Sequence, residues 1–266
     1  MDKIYNLYIT SINKQGTDTN YNYNLYFSNY GINIKEDEEA YFNIKTFQTL
    51  NSFYNINENS KSFKIKVVND MDITNIYDFE IETGNYDIYE FMKAINNLCS
   101  NYISIEYNEK KNKWNYKNIY DINADIFLIP NKYNASYFGL KADYNNEILN
   151  PLNNVGTYSN IINMNNFSLI IINIIGLIDE NMNIDNFNNN ISRGDISAIV
   201  NRQDVAVGAL INWNDNNSSF IKKISNNEIN YLNFKFSNEL GDELKDINDW
   251  LITLSIIIKK KSINAP

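Results

Sequence analysis

From Ile229 to Leu244 the chain reads I-N-Y-L-N-F-K-F-S-N-E-L-G-D-E-L, and a few residues later Trp250 to Ile258 reads W-L-I-T-L-S-I-I-I. Leu232, Phe234 and Phe236 alternate with Asn233 and Lys235, the period of two that places successive side chains on opposite faces of a strand. The second run is apolar almost throughout, as in a strand sealed inside a core. Between them, Ser237 to Asp242 with Gly241 has turn chemistry, so the segment predicts two long strands joined by a hairpin turn.

The same period recurs along the chain. Leu25 and Phe27 alternate with Tyr and Ser; Phe42, Ile44 and Thr46 alternate with polar residues; Phe63, Ile65 and Val67 alternate with Lys. Further strands are expected at Tyr77 to Ile81, Ile103 to Tyr107, Trp114 to Ile119, Asp125 to Ile129, Phe167 to Ile175 and Ile196 to Val200, with a hairpin turn over Glu109 to Lys113. One amphipathic helix, about 87–100, interrupts them. Asp87 is its N-cap, Glu90 completes a capping box, and Ile88, Phe91, Met92, Ile95, Leu98 and Cys99 share a face. This makes Cys99 a core residue. A second short helix is expected from near Asn131 to just before Gly139. Many short strands without a βαβ rhythm predict an all-β chain, a jelly-roll β-sandwich. Three prolines and no Pro-, Gly- or Ser-rich linker suggest one domain over 1–266, with polar loop insertions at about 143–166 and 179–195.

Composition narrows the chemistry. The 266 residues carry 23 Lys plus Arg against 32 Asp plus Glu, a net charge of -9, and no His. Ser-His-Asp and Cys-His triads and imidazole metal sites are therefore excluded. One Cys cannot form an internal disulfide, so a reducing compartment is the default. No apolar run reaches the roughly 20 residues of a membrane span, and the first residues lack a signal-peptide core. Direct nucleic-acid binding is not expected of an acidic chain whose basic residues cluster only at Lys259, Lys260 and Lys261. That tail reads as solvated, or as touching an acidic neighbour or DNA. Roughly one residue in five is Asn. With abundant Ile, Tyr and Lys, this marks an AT-rich genome and dilutes every Asn-based motif.

Candidate chemical motifs are few. Asp179, Asn181, Asn183 and Asp185 have the spacing of a calcium loop, but Ile184 stands where Gly is needed and Asn190 where a bidentate Glu is needed. Asp70 with Asp72, and Glu36 to Glu39, are carboxylate groups without evident partners and read as charged turns. Asn134, Asn166, Asn190 and Asn217 begin glycosylation acceptor triplets, which this Asn content explains by chance. Tyr21, Tyr23, Tyr26 and Tyr30 fit strand packing and subunit contact better than stacking on sugars or bases. No P-loop, dinucleotide turn or nucleophile elbow is present. The chain is expected to be no enzyme, with no catalytic, cofactor-binding or metal residues and no cofactor.

Taken in order, several of these pieces resemble the minor capsid, or penton, protein of virophages and Polinton or adintovirus-like elements. They are L-Y-I-T-S at Leu7 to Ser11, N-L-Y-F at Asn24 to Phe27, S-F-Y-N-I-N at Ser52 to Asn57, and I-E-T-G-N-Y-D-I-Y-E-F-M-K-A-I-N at Ile81 to Asn96. Y-F-G-L at Tyr137 to Leu140 and the C-terminal pair of strands complete the set. The resemblance implies a jelly-roll subunit forming a homopentamer at the fivefold vertices of an icosahedral capsid, beside a double jelly-roll major capsid protein. It implies a virion location after synthesis in the host cytoplasm. The alternatives are a carbohydrate- or receptor-binding attachment module and another jelly-roll minor capsid protein.

Overall fold

The computed structural model describes residues 2–13, 18–27, 31–69, 71, 73–121, 123–148, 157–164, 167–177, 196–202, 205–217 and 220–261. In chain order the N-terminal part forms β1 (Lys3–Thr10), a 3-10 turn (Ser11–Asn13), β2 (Asn22–Tyr26), β3 (Ile32–Asn33) and β4 (Glu38–Leu50). The middle forms β5 (Ser62–Val68), β6 (Thr74–Glu80), α1 (Ile88–Leu98), β7 (Ile103–Asn108), β8 (Lys113–Asn118), β9 (Asp125–Pro130), α2 (Ala135–Phe138), β10 (Asn146–Ile148) and β11 (Thr157–Tyr158). The C-terminal part forms β12 (Leu169–Ile175), β13 (Ile196–Asn201), β14 (Leu210–Asn214), β15 (Lys222–Lys223), β16 (Glu228–Ile229), β17 (Tyr231–Ser237) and β18 (Trp250–Lys260).

These elements gather into two compact units where the sequence suggested a single domain. Unit 1 comprises Met1–Phe53 and Phe167–Pro266, and unit 2 comprises Tyr54–Asn166. The residues of unit 1 that flank the insertion are packed together. The Phe53 and Phe167 rings meet edge to face at 4.9 Å. The Arg202 guanidinium lies 4.3 Å from the Phe167 ring and 5.3 Å from that of Phe53, and it donates to the Phe167 carbonyl at 2.7 Å. Adjacent exit and entry points are the condition under which a fold accepts an inserted domain.

Unit 1 is a sandwich of two antiparallel sheets, β1-β18-β4-β14 (with β15 beside β4) and β13-β12-β17-β2. When its eight longer strands are counted along the chain, the first sheet runs first, eighth, third, sixth and the second runs fifth, fourth, seventh, second. That interleaving is the jelly roll, in which every pair of strands consecutive in sequence except the fourth and fifth lies in opposite sheets, and unit 2 is inserted between the third and fourth. The apolar alternation seen in the sequence faces the shared core. Phe47 meets Phe236 at 5.8 Å across the sandwich, and Trp250 packs on Phe236 at 5.0 Å and on Tyr23 at 5.3 Å. The indole N–H of Trp250 donates to the Asn20 carbonyl at 2.7 Å, so this large side chain is buried with its polar atom satisfied.

Two expectations need correction. Ser237 to Asp242 does turn sharply, closing with a bridge between Ser237 and Glu243 and a positive φ at Gly241. However, β17 and β18 belong to opposite sheets, so the turn starts a crossover and not a hairpin. In β4 the register against β18 shifts between Thr253 and Leu254, leaving Lys45 as an extra residue. This bulge flips the alternation, so Phe47 and not Thr46 continues the buried row of Phe42 and Ile44.

Unit 2 holds its own core between the sheet β10-β9-β5-β6, the sheet β11-β8-β7 and α1. Asp87 accepts from the backbone N–H groups of Tyr89 and Glu90, and Glu90 accepts from that of Asp87, so the expected capping box is formed. Phe91, Ile95 and Cys99 are fully buried, while Leu98 falls off the stripe and is exposed. The Asn96 amide donates to the Ile105 carbonyl at 2.9 Å and accepts its N–H at 2.7 Å, fastening the helix to β7. Tyr116 and Tyr137 donate their hydroxyls to the carbonyls of Phe138 and Asn55, and Trp114 donates to that of Tyr137. At Gly139, φ is 62° and an added Cβ would lie 2.5 Å from the Asn160 carbonyl oxygen, which explains the glycine ending α2. The polar stretch 143–166 contributes β10 and β11, whereas 179–195 lies outside the described residues.

Candidate assembly surface

Each sequence candidate has a definite place or lies outside the described residues. Asp70, Asp72, Tyr30, Asn166, Asn190 and the Asp179 to Asp185 loop are in the second group. Glu36 and Asp37 form the turn into β4, whose first residues are Glu38 and Glu39. The Glu38 carboxylate accepts from Lys3 Nζ at 2.8 Å and from the Lys35 backbone N–H at 3.1 Å, which holds its pKa below the ordinary carboxylate value. Glu39 pairs with Lys223 at 3.1 Å. The basic tail answers the same turn: Lys259 and Lys260 stand opposite Glu39 and Glu38 in the β18–β4 ladder, and Lys261 donates to the carbonyls of Glu36 and Asp37. These lysines therefore have an acidic neighbour within their own chain.

Cys99 is buried in unit 2, and burial pushes its thiol up to about 12. Such a thiol is unreactive in the folded protein. Asn134 is buried and donates its amide to the carbonyls of Ser60 and Ser62 at 2.8 Å, so it serves the fold and cannot accept a glycan without unfolding. Tyr23 is a core residue whose pKa is raised by burial, whereas Tyr26 is exposed and lies against Tyr231 at 6.4 Å. Among the described residues no three acidic or thiol groups converge on a point where a metal could sit. No helix among them is long and apolar enough to cross a membrane.

The outstanding surface feature of unit 1 is the outward face of the β1-β18-β4 sheet. Among the described residues β1 pairs only with β18, so its other edge has no strand partner among them. Ile9 points into the core, and the opposite parity puts Ile4 and Tyr8 outside, 61% and 76% exposed. Ladder register extends this row inward: Ile4 stands beside Ile257, which stands beside Tyr41; Tyr8 stands beside Thr253, which stands beside Thr46. Ile12, in the turn after β1, is 70% exposed and prolongs the strip. Apolar side chains next to an unpaired strand edge are what soluble proteins avoid unless another chain covers them. The sequence signal was available, because Lys3 to Ile9 carries apolar residues on both faces of the strand. Only the first sheet's layout shows which face lacks cover.

The selenomethionine-labelled mavirus penton protein superposes with a TM-score of 0.51 at 14% sequence identity, covering 98% of this chain and all of that one. A chain of the Sputnik virophage, solved by cryo-electron microscopy, matches with a TM-score of 0.42 at 11% identity, covering 100% of this chain and 99% of that one. No protein-family profile and no curated protein matches the sequence. The fold is a jelly-roll β-sandwich like that of the mavirus penton protein, and in this chain a second unit is inserted into it.

Proposed function

We propose that this chain is a structural subunit of a viral capsid, the penton, which closes as a homopentamer at icosahedral fivefold vertices and abuts a double jelly-roll major capsid protein. The observation that carries this reading is the end-to-end correspondence with the mavirus penton fold, in which neither chain has a large part left over. The physical features support it. A ring of five needs a heterologous interface, one surface meeting a different surface on the next copy. The open β1 edge with Ile4, Tyr8 and Ile12 supplies an apolar donor surface of that kind. The role is structural, in the virion, with synthesis in the host cytoplasm.

The test is the native mass of the purified protein by light scattering coupled to gel filtration. The expected value is five times the 31.1 kDa chain, with loss of the pentamer in Tyr8→Asp. A wild-type monomer or trimer, alone and with the major capsid protein added, would overturn the penton role.

A further inference from the structure

Unit 2 carries a cleft that the assembly role leaves unused. It lies where β9, the end of α2 and β10 meet, and has a volume of about 520 Å³. Its floor is Phe127, set in a row across the outer sheet face between Lys66 of β5 and Glu147 of β10. Lys66 Nζ lies 5.0 Å from the Phe127 ring centre. One wall is the loop that carries Lys141, Tyr144 and Asn145, and Asn160 forms another. The Tyr144 ring is 58% exposed, with Lys141 Nζ 5.4 Å from its centre.

The wall is built before any ligand arrives. The Asn146 amide donates to the carbonyls of Leu128, Lys141 and Tyr144 and accepts the Lys141 N–H, pinning the loop at both ends. The Asp143 N–H donates to the Pro130 carbonyl at 2.8 Å, and the Asn160 N–H donates to that of Gly139 at 2.7 Å. A site whose backbone is already fixed loses little ordering entropy on binding.

The lining combines two aromatic rings with a carboxylate, an ammonium group and three amides, of which that of Asn146 is already bonded to backbone. An apolar ligand would strip water from the Lys141 ammonium and from the Asn145 and Asn160 amides with nothing to replace it, and an anion would meet Glu147. A sugar ring offers the matching pair of surfaces, an apolar C–H face for the rings and a rim of hydroxyls that both donate and accept. The volume falls within the usual range for small-ligand sites, roughly 300–1,000 Å³. We propose that this cleft binds a neutral pyranose. The proposal concerns unit 2 alone and is independent of the penton reading.

The test is saturation-transfer NMR on the full chain, with methyl β-glucoside, methyl β-galactoside and N-acetylglucosamine as probes and sialic acid as the charged comparator. Transfer is expected to the ring protons of at least one neutral probe and more weakly to sialic acid. Tyr144→Ala should weaken binding by roughly three- to tenfold, and Glu147→Gln should also weaken it. Tyr231→Ala, an exposed tyrosine of unit 1, should leave it unchanged. Absence of transfer to all three neutral probes, a preference for sialic acid, or equal transfer in wild type and Tyr144→Ala would each overturn the proposal, whatever the native mass of the protein.

Discussion

Replacing Phe91 by Ala tests whether the two units carry separate cores. Phe91 is fully buried in unit 2, with its ring 5.3 Å from Phe138, 6.0 Å from Trp114 and 6.4 Å from Tyr137. The change removes roughly 100 Å³ of side chain, and at about 24 cal/mol per Å³ an unrelaxed cavity costs about 2.4 kcal/mol. Lost transfer energy brings the total to about 3–5 kcal/mol, the range for such truncations. At about 1.4 kcal/mol per tenfold change, amide protection should fall by roughly two to four powers of ten. Hydrogen exchange read by mass spectrometry should show that loss in α1, β7 and β8, while β4 and β18 keep wild-type protection. Phe236→Ala in unit 1 should give the mirror result. Equal loss of protection in both units after either change would refute the reasoning, because it would mean that one cooperative core spans the whole chain.

Three further outcomes follow from named contacts. Tyr8→Asp should abolish the proposed pentamer while shifting monomer stability by no more than about 0.5 kcal/mol, as for exposed sites, checked by native mass and urea unfolding side by side. Glu38 has a folded pKa below its unfolded value, so its stabilisation is present above the unfolded value of about 4.3 and is lost as pH falls through the folded pKa. Glu38→Gln should therefore flatten the acid limb of the stability profile, and an unchanged limb would count against the Lys3 pairing. Gly139→Ala should destabilise unit 2 by about 1–3 kcal/mol, since its Cβ would meet the Asn160 carbonyl at a positive φ; thermal melting or exchange of β8 and β9 amides would detect it.

The strands, the long helix and the residues of both cores were legible because their side-chain periods are local properties. Phe234, Phe236, Trp250, Phe91 and Ile95 are buried as their spacing predicts. Position-specific exceptions were not legible. The Lys45 bulge exchanges Thr46 for Phe47 without any change in composition, and β14, from Leu210 to Asn214, is an edge strand with a single fully buried residue, Ile211. Asparagine was undervalued for a different reason. Its abundance reads as codon bias, yet individual amides at Asn96, Asn134 and Asn146 satisfy backbone groups that no strand or helix partner reaches. Composition identifies the surplus and cannot say which copies are used.

The turn at Gly241 shows why the candidate surface stayed hidden as well. Read locally, a polar turn between two long strands is a hairpin, and a hairpin would place β18 beside β17 in one sheet. In the folded chain β18 lies instead between β1 and β4, so β1 becomes the edge of its sheet. Whether Ile4 and Tyr8 are covered or exposed therefore depends on a crossover about 230 residues later in the sequence, a long-range pairing that no local period encodes. Had the hairpin formed, β18 could not have seated β1, and the apolar strip that the pentamer reading depends on would not exist. Assembly and topology are thus one question in this fold. A variant that keeps the turn but breaks the β1–β18 ladder, such as Leu7→Pro, should lose the pentamer together with the burial of Ile9, whereas Tyr8→Asp should lose the pentamer alone.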